Sequence, residues 1–221
     1  MQAHEFAKEL LDMQPDVILA NSTPVAVAVR DTARTVPTVF VQVSDPVAVG
    51  VVQSLARPGG NLTGFTNFEP SMASKWLELL KDIAPNVARV GYLFNPKTAP
   101  LIYVRSIETA AAPLSVKSVA AEVYSAVEME RVIEQFARES NSALLILPDI
   151  FTLTNRQSII ALAARHRLPA IYPFRYFVAI GGLISYGIEV LDTYRQAASY
   201  VDSHSQRCKA RRVTGSTADQ I

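Results

Sequence analysis

Cysteine occurs once in this chain, at Cys208. That excludes an internal disulfide and any cysteine-rich metal site. No apolar run approaches the roughly 20 residues that span a bilayer, so direct membrane insertion is not expected. The three histidines, His4, His166 and His204, lie far apart, and no pair has metal-ligand spacing. His166 sits between Arg165 and Arg167 at a helix end and reads as a solvated cation. There is no G-x-S-x-G elbow, no P-loop and no G-x-G-x-x-G that follows a strand and opens a helix. Gly59-Gly60-Asn61-Leu62-Thr63-Gly64 is glycine-rich but follows a helical pattern and Pro58, which suits a turn better than a phosphate cradle. No catalytic residue, metal or cofactor is expected.

What remains is a globular composition. With 221 residues, 49% hydrophobic and 19% charged, the chain can bury a sizeable core as one large domain or two modest ones. The formal charge of +1 hides an asymmetry. Residues 203–221 carry Arg207, Lys209, Arg211 and Arg212 against Asp219, leaving 17 basic and 19 acidic residues in 1–202. The body therefore has no electrostatic footprint for nucleic acid. The opening MQAHEFAKELLDMQ is an amphipathic helix, not a basic and then apolar export signal, so the chain as written is expected to stay in the cytoplasm.

The organising stretch is 37–67, PTVFVQVSDPVAVGVVQSLARPGGNLTGFTN. Val39, Phe40, Val41 and Val43 form the continuous apolar run of a parallel strand covered on both faces. Ser44-Asp45-Pro46 ends it in a polar loop. A short apolar helix from Val47 to about Leu55, a Gly-Gly turn and an extended run leaving the neighbourhood are expected to follow. Before it, a helix over His4–Met13 leads to the strand Val17–Ala20. Ser22 or Thr23 is a natural N-cap and Pro24 suits the first position of a helix reaching about Arg34.

After a crossing near Thr66-Asn67 the pattern repeats. Helix Ser71–Ala84, burying Met72, Trp76, Leu79, Leu80 and Ile83, precedes strand Val87–Phe94. Helix Ala99–Ala112, strand Val116–Val123, helix Ala126–Glu139, strand Ala143–Leu147, helix Thr154–Arg167 and strand Ala170–Tyr172 follow. This alternation means parallel, doubly wound α/β sheets. Leu183–Tyr186 reads as a return crossing to the first lobe, followed by a helix from Val190 to Asp202. The expected division is thus 1–66 for the first lobe, 67–182 for the second, 183–202 for the return, and 203–221 as an irregular basic tail.

The tail has a sharper reading. One permissible back-translation of residues 203–221, read one nucleotide later, gives RILKGAKPAELPVQQPTKF, which continues the preceding helix with an Ile-Leu pair and closes it with Lys-Gly. A single-nucleotide insertion before the Ser203 codon would account for that.

Polar residues gather at strand ends of both lobes, where open α/β sheets hold ligands. From the first lobe come Asn21, Ser22, Thr23, Ser44 and Asp45, and from the second Asn95, Asp149 and Tyr172, with Tyr186 near the hinge. The helix start at Ser22-Thr23 suits a carboxylate, and Asp45 or Asp149 suits an ammonium. An aromatic neighbour would stack on a ring. The same residues also make ordinary caps (Ser22, Thr23), turns (Asp45, Asp149) and core (the tyrosines).

NSTPVAVAVRDTARTVPTVFVQVSDPVAVGVVQSLARPGGNLTG, KWLELLKDIAP, ALAARHRLPAIYPFRYFV and GGLISYG together resemble the tryptophan/tyrosine-type substrate-binding proteins of ABC transporters, over about residues 5–202. The resemblance implies the two-lobed type I periplasmic-binding-protein fold, a small-molecule solute held in the interlobe cleft by hinge closure, and delivery to an ABC permease. It also implies a periplasmic or lipid-anchored extracytoplasmic location for the intact family. Against that pattern the first lobe is incomplete, lacking the opening strand-helix-strand elements. An effector domain of a lactose-repressor-type regulator shares the fold but would need a helix-turn-helix, absent here. A non-functional truncated gene product is the remaining alternative.

Overall fold

The computed structural model describes residues 2–68, 71–99 and 101–215. The chain divides into two compact units, Met1–Asn67 with Val190–Ile221, and Phe68–Glu189.

The first unit holds a parallel three-stranded sheet of β1 (Ile18–Asn21), β2 (Thr38–Val43) and β3 (Leu62–Thr66), in that order. Both faces of β2 are covered, which is why its sequence is apolar without alternation. Phe40 and Val43 face a core built with α1 (Gln2–Asp12) and α2 (Thr23–Thr32), including Ala7, Ala26 and Val29. Val39 and Val41 face the other way, packed with Ala197 of α9 (Val190–Gly215). A strict two-residue period would send Val43 to the α9 side. Gln42, with φ of 57°, is an extra residue in the strand, and the register with β3 shifts there, from Phe40↔Gly64 to Val43↔Thr66. This bulge returns Val43 to the α2 core.

Two expectations for 47–66 are corrected. Residues 47–52 form consecutive turns, not a helix: Val49 N–H donates to Asp45 O, and the Val51 and Val52 amides both donate to Pro46 O. Successive valines are poor helix formers, and Gly50, at φ 70°, breaks any helical continuation. The extended run does not leave: Leu62–Thr66 pairs with β2 inside the first sheet, and the first crossing falls between Asn67 and Phe68.

The second unit is a parallel five-stranded sheet in the order β5-β4-β6-β7-β8, namely β4 (Arg89–Phe94), β5 (Lys117–Glu122), β6 (Ser142–Ile146), β7 (Ala170–Tyr172) and β8 (Ile184–Ser185). Its helices are α3 (Met72–Ile83), α4 (Ile102–Ala111), α5 (Ala126–Ala137), α6 (Ile150–Thr154), α7 (Arg156–Arg165) and α8 (Arg175–Ala179). The expected Thr154–Arg167 helix is thus the pair α6 and α7, joined at Asn155. In α3 the buried face is Ala73, Trp76, Leu77 and Leu80, while Ile83 is 42% exposed, contrary to its expected burial. Leu183–Tyr186 is not a return crossing. Ile184 and Ser185 pair with Ile171 and Tyr172 and extend the second sheet, and the chain changes unit at Glu189–Val190.

The helix expected to end at Asp202 continues through Gly215. Apolar periodicity does lapse after Ser203, but Gln206, Lys209, Ala210, Arg211 and Arg212 have high intrinsic helix propensity. Ser203 Oγ also donates to Ser199 O at 2.9 Å, inside the helix. Residues 216–221 of the expected tail lie outside the described residues.

Candidate functional site

The carboxyl edge of the first sheet is tied together by side chains that the sequence singles out. Ser22 occupies the N-cap position of α2 at φ 85° and ψ 155°, and its hydroxyl makes no capping bond. The backbone makes the ties instead: Ser22 N–H donates to Val41 O at 3.0 Å, and Ser22 O accepts from Ala26 N–H at 3.0 Å. Thr23 Oγ1 accepts from the Ser44 amide at 3.2 Å, tying the end of β1 to the end of β2. Ser44, 2% exposed, donates its hydroxyl to Asn67 Oδ1 at 3.0 Å, and the Asn67 amide returns to Val43 O at 3.3 Å. Thr23, Ser44 and Asn67 therefore stitch three strand ends into one platform. Asn67 was not among the sequence candidates; its signal was a polar residue at the very end of an extended run.

Asp45 sits on that platform in the left-handed region, φ 45°. Its Oδ1 accepts from Ala48 N–H at 3.0 Å, forming the turn, while Oδ2 takes no hydrogen bond from the described residues. Asn21, at the end of β1, is exposed. The edge thus presents a half-buried carboxylate oxygen, the free Ser22 hydroxyl and the first turn of α2 within one unit. Such a set can hold a positive group and a hydrogen-bond acceptor side by side.

The second unit uses its strand-end polar groups differently. Asp149, 8% exposed, caps α6: Oδ1 accepts from Phe151 N–H at 2.6 Å, from Thr152 N–H at 3.1 Å and from Thr98 Oγ1 at 3.2 Å. Its Oδ2 accepts from Asn95 N–H at 3.2 Å, so one carboxylate joins the ends of β4 and β6. Burial raises its pKa above the ordinary value, and the four donors partly oppose that rise. Asn95 turns its own Oδ1 to Lys97 N–H at 2.9 Å. Tyr172, 2% exposed, stacks on Phe177 with ring centres 5.2 Å apart, and burial raises its phenol pKa.

Tyr186 donates its amide to Tyr172 O at 3.1 Å and accepts Trp76 Nε1–H on its carbonyl at 2.7 Å, leaving the residue 41% exposed. Phe68 packs edge-on to Trp76 and against Phe174, and Gly187 lies so close to Phe68 that a Cβ there would stand 2.6 Å from its ring and 2.1 Å from Pro173 O. The segments that enter and leave the second unit are therefore anchored in one aromatic cluster. Among the described residues, no three His, Cys, Asp or Glu side chains converge as a metal site, and no helix is long and apolar enough to cross a membrane.

Parallel α/β sheets carrying polar strand ends, in two units joined by two crossings, define the type I periplasmic-binding-protein fold. The profile of the family described as ABC transporter substrate binding protein matches residues 1–214, and the chain belongs to that family. The match runs past Ser203, through most of the helix that continues there. The chain is 26% identical over 184 residues to a protein of Clostridioides difficile named "Tyrosine-binding protein", covering 83% of this chain and 52% of that one. It thus spans about half the length of this curated relative. Among solved structures, a conserved domain protein of Vibrio cholerae superposes with a TM-score of 0.81 at 27% identity, over 91% of this chain and 67% of the other. An ABC domain of Streptococcus pneumoniae, solved in complex with L-Trp, superposes with a TM-score of 0.80 at 20% identity, over 92% and 70%.

Proposed function

We propose that this chain is the solute-binding part of an ABC importer and that its solute is an amino acid, with aromatic amino acids as the first class to test. The observation that carries the reading is the platform Thr23–Ser44–Asn67 with Asp45 Oδ2 left unpaired beside the start of α2. A zwitterion needs an anion for its ammonium and N–H or O–H donors for its carboxylate. Asp45 supplies the first, and Ser22 with the opening amides of α2 supplies the second. The aromatic preference rests on the Clostridioides difficile relative, which is named for tyrosine.

In this reading Asn21, Ser22, Thr23, Ser44 and Asp45 face or support the solute within the first unit, and Asn95 and Tyr186 are the corresponding strand-end candidates of the second. Asp149 and Tyr172 shape the loops that carry them. No bond is made or broken in the solute, so no catalytic group is required. The crossings at Asn67–Phe68 and Glu189–Val190 are where hinge closure would concentrate its backbone change, and the closed form would be what an extracytoplasmic face of a permease recognises.

Calorimetric titration with tyrosine, tryptophan and phenylalanine tests the reading, with leucine and a sugar as controls. The expected result is saturable binding of at least one aromatic amino acid, weakened about 10- to 100-fold by Asp45→Asn, as befits loss of one charge-assisted contact. Binding unaffected by Asp45→Asn would remove the site assignment. Binding of the controls alone would remove the solute class.

A further inference from the structure

Four buried side-chain polar atoms among the described residues have no hydrogen-bond partner: Gln42 Nε2, Arg89 Nε, Ser142 Oγ and His166 Nε2. Such orphans are uncommon, and each calls for a cause. Three of the four lie at one place, the amino-terminal end of the second sheet, opposite the strand ends described above. Ser142 opens β6, and Arg89, which opens β4, is its register partner. His166 ends α7, just before the turn into β7.

Ser142 and His166 line a cavity of about 310 Å³ whose wall also includes Asn86, Glu139, Asn141 and Arg167. That volume is at the low end for small-molecule sites. Ser142 is only 5% exposed, and its hydroxyl has no partner among the described residues. His166 is partly buried, and its Nε2 is turned away from solvent.

The surrounding charge has a clear sign. Arg89 Nη1 pairs with Glu139 Oε2 at 3.0 Å, which accounts for the acid on the wall. Arg167 remains on the rim, and Lys81 Nζ is held against the wall by Pro85 O and Val87 O, each at 2.9 Å. Arg89 Nε can only donate, a serine hydroxyl can donate, and an imidazole Nε2 donates in one tautomer and in the cation. An acceptor carrying negative charge suits the two orphans on the cavity wall, Ser142 and His166, beside Arg167; Arg89 lies outside that lining, with its guanidinium 5.0 Å over the Phe136 ring.

We infer that this cavity is a second ligand site, for a small oxyanion, held by Ser142 and His166 with Arg167 supplying charge. The ligand chemistry is a compact group of two to four acceptor oxygens, as in inorganic phosphate, sulfate or a small carboxylate. The site is independent of the solute reading, since it occupies the opposite end of the sheet and uses none of the same residues.

The test is a ¹⁵N–¹H NMR titration of the whole chain with sodium phosphate, sodium sulfate and sodium acetate, at ionic strength held constant with sodium chloride. Saturable shifts centred on Asn141, Ser142 and His166–Leu168, with half-saturation in the millimolar range or tighter, are expected for at least one anion. The anion that saturates first distinguishes phosphate or sulfate from carboxylate. Ser142→Ala and His166→Phe should each weaken it about ten-fold. Ser142→Ala should also leave the melting temperature unchanged or raised, because it deletes an unpaired hydroxyl. No saturable shift with any of the three anions overturns the inference, and the unmodified chain alone can give that result, even if a variant fails to fold. An unchanged titration in the two variants overturns it equally.

Discussion

Two aspartates stand just past the ends of buried parallel strands, Asp45 in Ser-Asp-Pro after β2 and Asp149 in Leu-Pro-Asp after β6, and the fold treats them in opposite ways. Asp149 gives its carboxylate to three backbone amides and one hydroxyl from two segments of its own unit. Asp45 gives one oxygen to a single turn amide and keeps the other. The difference lies in what the next residues do. After Asp149 the chain enters a helix at once, and a helix start has free N–H groups that a carboxylate caps. After Asp45 come Pro46 and a run of turns that offer fewer donors. Asp45 therefore keeps an oxygen available for ligand because no helix start follows closely enough to take it, whereas Asp149 does not.

The sharpest way to break this comparison is to disturb the backbone beneath the first platform. A Cβ at Gly64 would stand 2.0 Å from Phe40 O of the neighbouring strand, so Gly64→Ala must force β2 and β3 apart. It is expected to cost the first unit about 3 kcal/mol or more and to abolish solute binding, because Ser44 and Asn67 would no longer meet. Gly60→Ala, which has open space around it, is the control and should change neither. Urea unfolding followed by calorimetric titration reads both.

Next in size is the aspartate pair itself. Asp149→Ala removes a cap and leaves Asn95 N–H and Thr98 Oγ1 without their acceptor. It should destabilise the second unit by about 3 kcal/mol, while the solute affinity of the fraction that stays folded falls less than with Asp45→Ala. Asp45→Ala should do the reverse, costing about 1 kcal/mol or less of stability but most of the affinity. Equal effects of the two substitutions on both readouts would dissolve the contrast. A smaller effect is expected of Trp76→Phe, which deletes the 2.7 Å bond to Tyr186 O and keeps most of the ring packing. About 1 kcal/mol of stability should be lost, visible as an earlier unfolding midpoint.

What the sequence made legible follows from which signals are local. Parallel strands covered on both faces announce themselves as apolar runs, so β2, β4 and β6 were readable, as was the succession of helices between them. The misreadings came where a tertiary partner decides. Val47–Leu55 has helix-like apolar content, but Gly50 and the Pro46 carbonyl turn it. The strand β8 is two residues long, and nothing in Leu183–Tyr186 says which sheet it joins. In the candidate site, residue types were legible and occupancy was not. Ser-Asp-Pro and Leu-Pro-Asp look alike until the donors around each carboxylate are known.

The smallest expected effect separates the units by the sign of a pH dependence. Asp149 is buried, so its folded-state pKa lies above the unfolded value of 3.8. The folded chain then holds that proton more tightly, and the associated stability is present at low pH and lost as pH rises through the folded-state pKa. In the first unit, Asp31 has its pKa lowered by hydrogen bonds from Arg30, at 2.7 Å, and then from His4, at 3.3 Å. Its contribution is present above 3.8 and lost as pH falls through the depressed value. Unfolding free energies of the parent, Asp149→Asn and Asp31→Asn, compared from about pH 3 to pH 6, should therefore give difference curves of opposite slope. The Asp31 curve should be the shallower and flatten in salt, because that pair is open to solvent. The Asp149 curve should resist salt, because the screening ions cannot reach it. Parallel slopes would mean that the hydrogen bonds around Asp149 outweigh its burial, and that its carboxylate is as comfortable ionised as the exposed one.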